Sequence, residues 1–325
     1  MRAQVVHELG GAEQLAFEEV DDPTAASGEV LIGVEAIGLN FPDLLMIKGI
    51  YQYRPELPFV PGAEASGTVL EIGEGVDHVA VGDRVIGSNL TGAMAEQFVA
   101  PATNVFRLPH AVSMQRGACL AMAYGTSYHA LVDRAHLQAG ETLLITGASG
   151  GVGSAAIQIG KALDARVIAA VGSEEKVAVA RTLGADETIN YSTESLKDRT
   201  KELTGGEGAD VIYDAVGGDT FLECLRCINW KGRILVVGFA SGDIPKAPMN
   251  LPLLKGCSIV GVFWGAFAGR EPEKNAANFA QVFEWAVDGT ISPHISATYS
   301  LADAPDALTA LATRTATGKV VLTVP

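Results

Sequence analysis

The sequence predicts an α/β protein in which a β-rich first domain precedes a doubly wound parallel-sheet domain with helices on both faces. Three features carry that prediction. Residues 1 to about 100 hold short apolar runs separated by Gly, Pro and Asp turns, the pattern of a compact, partly closed antiparallel unit. From Leu143 onward apolar strands alternate with helical stretches, which predicts parallel strand-helix-strand units. Between Thr146 and Ser154, Gly147, Gly150, Gly151 and Gly153 join the first of those strands to a helix, as a dinucleotide-binding turn does.

In chain order, residues 4–6, 15–17, 29–37, 65–72 and 83–86 read as strands of the first domain, interrupted by a short helix over 40–47. The pattern turns helical over 114–118 and 126–135. A buried strand over 143–145 then leads through the glycines into an apolar-periodic helix over 155–163, and a second strand over 166–171 completes the unit. Glycine permits the turn, lets backbone approach a pyrophosphate and allows close helix-strand packing. The phosphates would rest on the free N–H groups and positive end of the helix. Further on come helices over 174–183, 194–203 and 219–228, with strands at 188–189, 210–213, 233–237 and 258–262. A long helix over 272–287 precedes a strand (295–299), a helix (303–313) and a last strand (319–324), a tail expected to pack back on the first domain.

Composition narrows the function classes. At 325 residues the chain is long for one core and two domains are expected. Hydrophobic residues at 48% and charged residues at 19% favour compact folding over disorder. No apolar run reaches the length of a bilayer span and the N-terminus lacks a signal peptide's apolar region, so a cytoplasmic protein is expected. The 38 acidic against 23 basic residues give a formal charge of −15, which repels nucleic acid and anionic membranes. The four cysteines are too few for a disulfide framework. Cys224 and Cys227 form a C-x-x-C pair open to a zinc or redox reading, but they lie in a helical run with no second pair and no nearby histidine, which favours a buried helix face.

Several stretches together carry a family resemblance: residues 30–40, Phe59-Val60-Pro61-Gly62-Ala63-Glu64-Ala65-Ser66-Gly67, Val81-Gly82-Asp83-Arg84-Val85 and the Gly147–Gly153 loop. In this order the chain resembles, over essentially its whole length, the medium-chain dehydrogenase/reductase superfamily, and within it the zinc-free quinone oxidoreductases of the zeta-crystallin type. The resemblance implies a GroES-like catalytic domain over 1–122, completed by 289–325, and a Rossmann NADPH-binding domain over 123–288. The cleft between them is the implied active site, and a homodimer the implied assembly. Zinc members place a cysteine ligand where this chain has Asn40 and a histidine ligand where it has Ala63. The cysteine cluster of a structural zinc lobe is absent from 88–109. Without thiolate or imidazole no metal is expected to polarise the substrate. The Thr146-Gly147-x-x-x-Gly151-x-Gly153 string also matches a short-chain reductase fingerprint, but that family uses a Tyr-x-x-x-Lys pair and none of the seven tyrosines here has lysine four positions on.

NAD sites carry Asp or Glu about twenty residues after the glycines to bind the ribose hydroxyl. Here that position is Ser173, in Val171-Gly172-Ser173-Glu174-Glu175-Lys176, although Glu174 or Glu175 offers an alternative carboxylate. The resemblance implies that Lys176, Tyr191 and Arg314 grip a 2′-phosphate, and so that the cofactor is NADPH; the competing reading of each is a solvated surface residue. It also implies Gly150, Gly151, Val152 and Gly153 at the pyrophosphate, Thr126 near the nicotinamide, and the Gly238-Phe239-Ala240 loop as part of an apolar wall. Phe263 and Trp264 belong to that wall or to core or interface packing.

With no metal and no convincing acid-base dyad, the chemistry depends on positioning a hydride acceptor. Asn40 is expected to face the substrate as an amide donor. Tyr51, in Gly49-Ile50-Tyr51, resembles the tyrosine proposed as proton donor in zinc-free enoyl thioester reductases; its alternative is a loop-surface hydroxyl. His129 and His136 read as structural. The whole-chain resemblance implies a quinone as the small-molecule substrate, an activated alkene being the second reading and a non-catalytic cofactor-binding protein the third.

Overall fold

A computed structural model describes residues 1–325. The chain forms two compact units. The first comprises Met1–Ala123, Phe267–Gly289 and Ile295–Pro325, and the second Tyr124–Ala266 and Thr290–His294.

In the first unit, β1 (Arg2–Val6) and β2 (Leu15–Glu19) pair antiparallel. The main sheet contains β3 (Glu29–Gly38), β4 (Glu64–Ile72), β5 (Arg84–Ser88), β6 (Gln97–Pro101) and β7 (Val105–Arg107). β3 is the hub: it pairs antiparallel with β4 and with β6, and Val30, Ile32, Val34 and Ile37 enter one apolar core with Val85, Phe98 and Leu308. The helix Phe41–Ile47 follows β3 at once, with Asn40 as its N-cap and Pro42 in its first turn, a position whose missing N–H costs the helix nothing. Leu44 and Ile47 turn its apolar face to the core.

The second unit holds β8 (Thr142–Thr146), β9 (Arg166–Val171), β10 (Glu187–Asn190), β11 (Ala209–Asp214), β12 (Ile228–Val236) and β13 (Ser258–Gly261) in the order β10-β9-β8-β11-β12-β13. All the pairings are parallel. The continuous apolar runs follow from burial on both faces: Leu143, Leu144, Val167, Ile168, Val211 and Ile212 are fully buried. The chain runs outward from β8 to β10 and returns to the other side at β11, so the carboxyl ends of β8 and β11 form a topological switch point.

The tail returns to the first sheet, as its pattern predicts: β14 (Ile295–Ser300) lies parallel to β15 (Lys319–Thr323), and β15 pairs antiparallel with β3. Several elements differ from the sequence reading. The stretch 126–135 is not one α-helix but an α turn at Gly125–Tyr128 flanked by wider π turns at Leu120–Tyr124 and His129–Arg134. The helix Pro272–Asp288, which chain order alone assigns to the second unit, groups with the first, where Phe279 stacks on Phe106 at 4.4 Å between ring centroids. No helix is long and apolar enough to cross a membrane.

Candidate active site

The glycine loop leaves β8 at Gly147, whose φ of +63° is disfavoured for other residues. A Cβ on Gly153 would lie 2.3 Å from the Gly147 carbonyl oxygen and 2.7 Å from Ala148 Cα, so the last of the four glycines is fixed by the helix folding back on its own loop. The helix Gly151–Ala162 starts from Gly150 without a side-chain cap. Its first amides are therefore left for a ligand, and that arrangement fits a dinucleotide pyrophosphate. The Ser127 hydroxyl donates to the Val152 carbonyl (2.9 Å) and lies 3.0 Å from the Tyr213 hydroxyl, tying the segment that carries half-buried Thr126 to the loop. Sequence reading missed Ser127 because a buried serine in an apolar helix carries no motif.

At the switch point Thr146 donates to Asp214 at 2.6 Å, and the Val216 and Gly217 amides donate to the same carboxylate. Burial pushes the Asp214 carboxyl up, opposed by these donors. The loops after β11 and β12 are then laced together, Ala240 N–H donating to Ala215 and Ser241 N–H to Val216. Phe239 lies over Gly217, where a Cβ would come within 2.8 Å of its ring, and Gly238 begins the turn. Trp264 is buried against Gly125, while neighbouring Phe263 is 60% exposed.

At the end of β9 the residue in the ribose-binding position is Ser173, and of the two carboxylates that follow Glu174 is engaged elsewhere. Ser173 caps the helix Glu174–Thr182 by accepting from the Lys176 N–H, and the Glu174 carboxylate accepts from Asn190 Nδ2 at 2.8 Å. A Cβ on Gly172 would meet the Tyr191 hydroxyl at 3.3 Å, so the phenol stands beside Gly172 and Ser173. Lys176 starts one turn into that helix. Arg314 belongs to the first unit, exposed, with a φ of +58° just beyond the helix Ala304–Ala312.

In the first unit Asn40 is nearly buried, and its side chain is committed rather than presented. Nδ2 donates to the Gly38 carbonyl (3.0 Å) and to Glu64 Oε1 (2.8 Å), while Oδ1 accepts from Lys319 Nζ at 2.7 Å. Both amide hydrogens are used, which corrects the expectation of a substrate-facing donor. Glu64 Oε1 also accepts from Lys319 at 2.7 Å and its Oε2 from the Met122 N–H. Asp43 Oδ2 accepts from the Asn40 N–H at 2.8 Å, whereas Oδ1 is buried without a partner. Burial above all raises the Asp43 carboxyl to about 7, helped by Glu64 and opposed by the Asn40 N–H and Lys319. Tyr51 follows this helix in a half-buried loop, its phenol pushed up by burial and then by Asp43, so it stays protonated at neutral pH. Near it in the chain Ile50, Tyr53 and Leu57 are exposed.

Cys119, Cys224 and Cys227 are buried and Cys257 is half-buried, all four as free thiols. Burial raises Cys119 to about 12 and Cys227 to about 11, and both cysteines of the C-x-x-C pair sit in the second unit's core. They are packing residues with little thiolate.

Comparison with known proteins agrees with this geometry. The family described as alcohol dehydrogenase GroES-like domain matches residues 26–110, and that described as zinc-binding dehydrogenase matches 151–283. The chain is 42% identical over 322 residues to quinone oxidoreductase-like protein 2 of Rattus norvegicus, covering 99% of this chain and 91% of the relative. It is 36% identical over 315 residues to quinone oxidoreductase of Pseudomonas aeruginosa, covering 96% of each. Among solved structures, Escherichia coli quinone oxidoreductase complexed with NADPH superposes with a TM-score of 0.93 at 30% identity, covering 100% of both chains.

Proposed function

Because the chain belongs to the quinone oxidoreductase family of the medium-chain dehydrogenases and reductases, we propose that it is an NADPH-dependent quinone oxidoreductase. The observation that carries the choice of cofactor is the end of β9. Ser173 stands where a ribose-binding carboxylate is needed, Glu174 is held by Asn190, and the Tyr191 phenol lies beside Gly172. A hydroxyl and a phenol beside Lys176 suit a phosphate, not a bare ribose diol.

Bound NADPH supplies the hydride. Gly151, Val152 and Gly153 would receive its pyrophosphate on backbone amides, with Gly150, whose own N–H donates to the Gly147 carbonyl, shaping the turn; Lys176 and Tyr191 would meet the 2′-phosphate, and Arg314 of the first unit is the further cation assigned to it. Thr126, Gly238, Phe239 and Trp264 wall the nicotinamide and exclude water. In the first unit the loop that carries Tyr51 offers the acceptor-side groups, its phenol being the protonated donor that the alkene reading needs, and Asn40 fixes the helix before it. A quinone takes two electrons and is completed to the hydroquinone by protons, so no metal Lewis acid is required. The Asn40 amide and the Ala63 methyl, at the positions of the lost ligands, are poor company for zinc. The reading includes a cytoplasmic protein, in keeping with four reduced thiols, and a homodimer, supported by the exposed edge of β13.

The test follows nicotinamide absorbance with NADPH or NADH against quinones and enones. Lys176→Ala and Arg314→Ala are each expected to raise KM for NADPH about tenfold, the worth of one charge-assisted bond, and to leave NADH use nearly unchanged; equal losses with both cofactors refute the assignment. Reduction of an activated alkene is the second reading, favoured by the resemblance around Tyr51. Tyr51→Phe separates the two: severe loss favours the alkene, little change the quinone.

A further inference from the structure

Lys319 is 2% exposed, and an ammonium is rarely buried without a purpose that repays its desolvation. Its Nζ donates to the Leu39 carbonyl (2.9 Å), Asn40 Oδ1 (2.7 Å) and Glu64 Oε1 (2.7 Å). Three donors meet three oxygens, so the cation is saturated. The oxygens come from the end of β3 and the start of β4, while Lys319 opens the returning strand β15. Room for the cluster is reserved: a Cβ on Gly38 would lie 2.7 Å from Glu64 Oε1 and closer still to the Ala118 carbonyl. From the cluster a rigid path leads to the acceptor side. Asn40 caps the helix Phe41–Ile47, and that helix closes with Gly49 N–H donating to Met46 and Ile50 N–H to Leu45, which delivers Tyr51.

We propose that Lys319 is a positioning residue for the reductase: a built-in cation that, through Asn40 and the helix it caps, sets the placement of Tyr51 and its loop. The inference rests on the functional reading above, and its test keeps the two apart. A purely structural role makes the ion pair replaceable, because removing both charges together avoids leaving Glu64 buried alone. A positioning role does not, since an apolar side chain at 319 no longer holds Asn40.

The experiment compares wild type with Lys319→Arg and the double variant Glu64→Gln/Lys319→Met. The double variant is expected to melt near the wild type and to bind NADPH within about twofold by fluorescence titration. Its kcat/KM for a quinone should fall by about 10²-fold, the cost of an ångström-scale misplacement of the whole loop that carries Ile50, Tyr51 and Tyr53, a loss that does not depend on the Tyr51 hydroxyl, with Lys319→Arg recovering part of it. Hydrogen exchange supplies a readout independent of turnover: amides over 41–51 should lose protection while β4 keeps it. A double variant with near-wild-type kcat/KM and unchanged protection over 41–51 overturns the proposal. Should the double variant not fold, Asn40→Leu, which keeps the Lys319–Glu64 pair and deletes the Asn40 bonds to Lys319, Glu64 and Gly38, is read by the same two measurements, and wild-type values there overturn it equally. A wild type inactive with every quinone sinks the functional reading instead, and the exchange data still decide the role of Lys319.

Discussion

Asp43 illustrates how a single residue near the candidate site couples placement to pH. It is wholly buried in a cluster where one ammonium already pairs with Glu64, and its carboxyl is raised to about 7. The folded state therefore holds the proton more tightly than the unfolded chain, whose aspartate titrates near 4. Below about pH 4 the group is protonated in both states and its contribution is fully present; between about 4 and 7 stability is lost as pH rises, by roughly 4 kcal/mol in all. Asp43→Asn removes this titration. Melting temperatures from about pH 5 to about pH 8 are expected to show the variant gaining on the wild type as pH rises, and parallel curves disprove the assignment. Asn40 was legible in the sequence as the polar residue at a lost ligand position. Its partner was not: Lys319 reads as an ordinary strand start, and no local pattern links positions 279 residues apart. For the same reason the amide was expected to be available, whereas Gly38 and Glu64 accept both of its hydrogens and Lys319 donates to its oxygen.

Elements were legible where burial leaves a periodic trace. β8, β9 and β11 are covered on both faces, so their apolar runs are continuous, and the glycine spacing marks the first turn of the sheet. β6 and β7 are short and broken by Pro101, and the π turns near Tyr124 and His129 lie in an apolar stretch whose period fits either helix type. The glycine loop allows a prediction at this scale. Gly153→Ala drives a Cβ into backbone at 2.3 Å, which cannot yield as a side chain does. It should cost about 1–3 kcal/mol of stability and, by opening the loop, much of the NADPH affinity. Gly150→Ala is the contrast, since its Cβ meets only the Gly147 oxygen at 3.4 Å and its φ is an ordinary −81°. That variant should melt like the wild type and lose NADPH affinity alone, as expected where glycine lets a pyrophosphate approach the turn closely. Thermal melts and fluorescence titration on both variants read the difference; normal NADPH binding by Gly150→Ala removes that residue from the phosphate site.

At the scale of the whole molecule, the second unit ends its sheet unusually for a parallel one. β13 is one of the sheet's two terminal strands, with no further strand on its outer side, where the Gly261 carbonyl accepts from Arg134 Nε (3.1 Å), and Ile259 is 37% exposed. Around it in the chain, Trp230, Leu253, Leu254 and Phe263 are each more than half exposed, and Trp230 lies over Gly256 at the end of the helix Asn250–Lys255. An open edge flanked by large apolar side chains is a liability in a monomer. A second copy related by a two-fold axis would meet the same residues with its own and pair the edge strands antiparallel, closing the sheet without further growth. A net charge of −15 keeps the surfaces outside that patch from associating and so favours a closed dimer over open assembly. Light scattering after size exclusion should therefore give twice 33.8 kDa for the wild type. Ile259→Lys places a charge on the edge where pairing would bury it and should return the chain to 33.8 kDa. A wild type at the monomer mass, or a lysine variant still dimeric, rules out β13 as the interface.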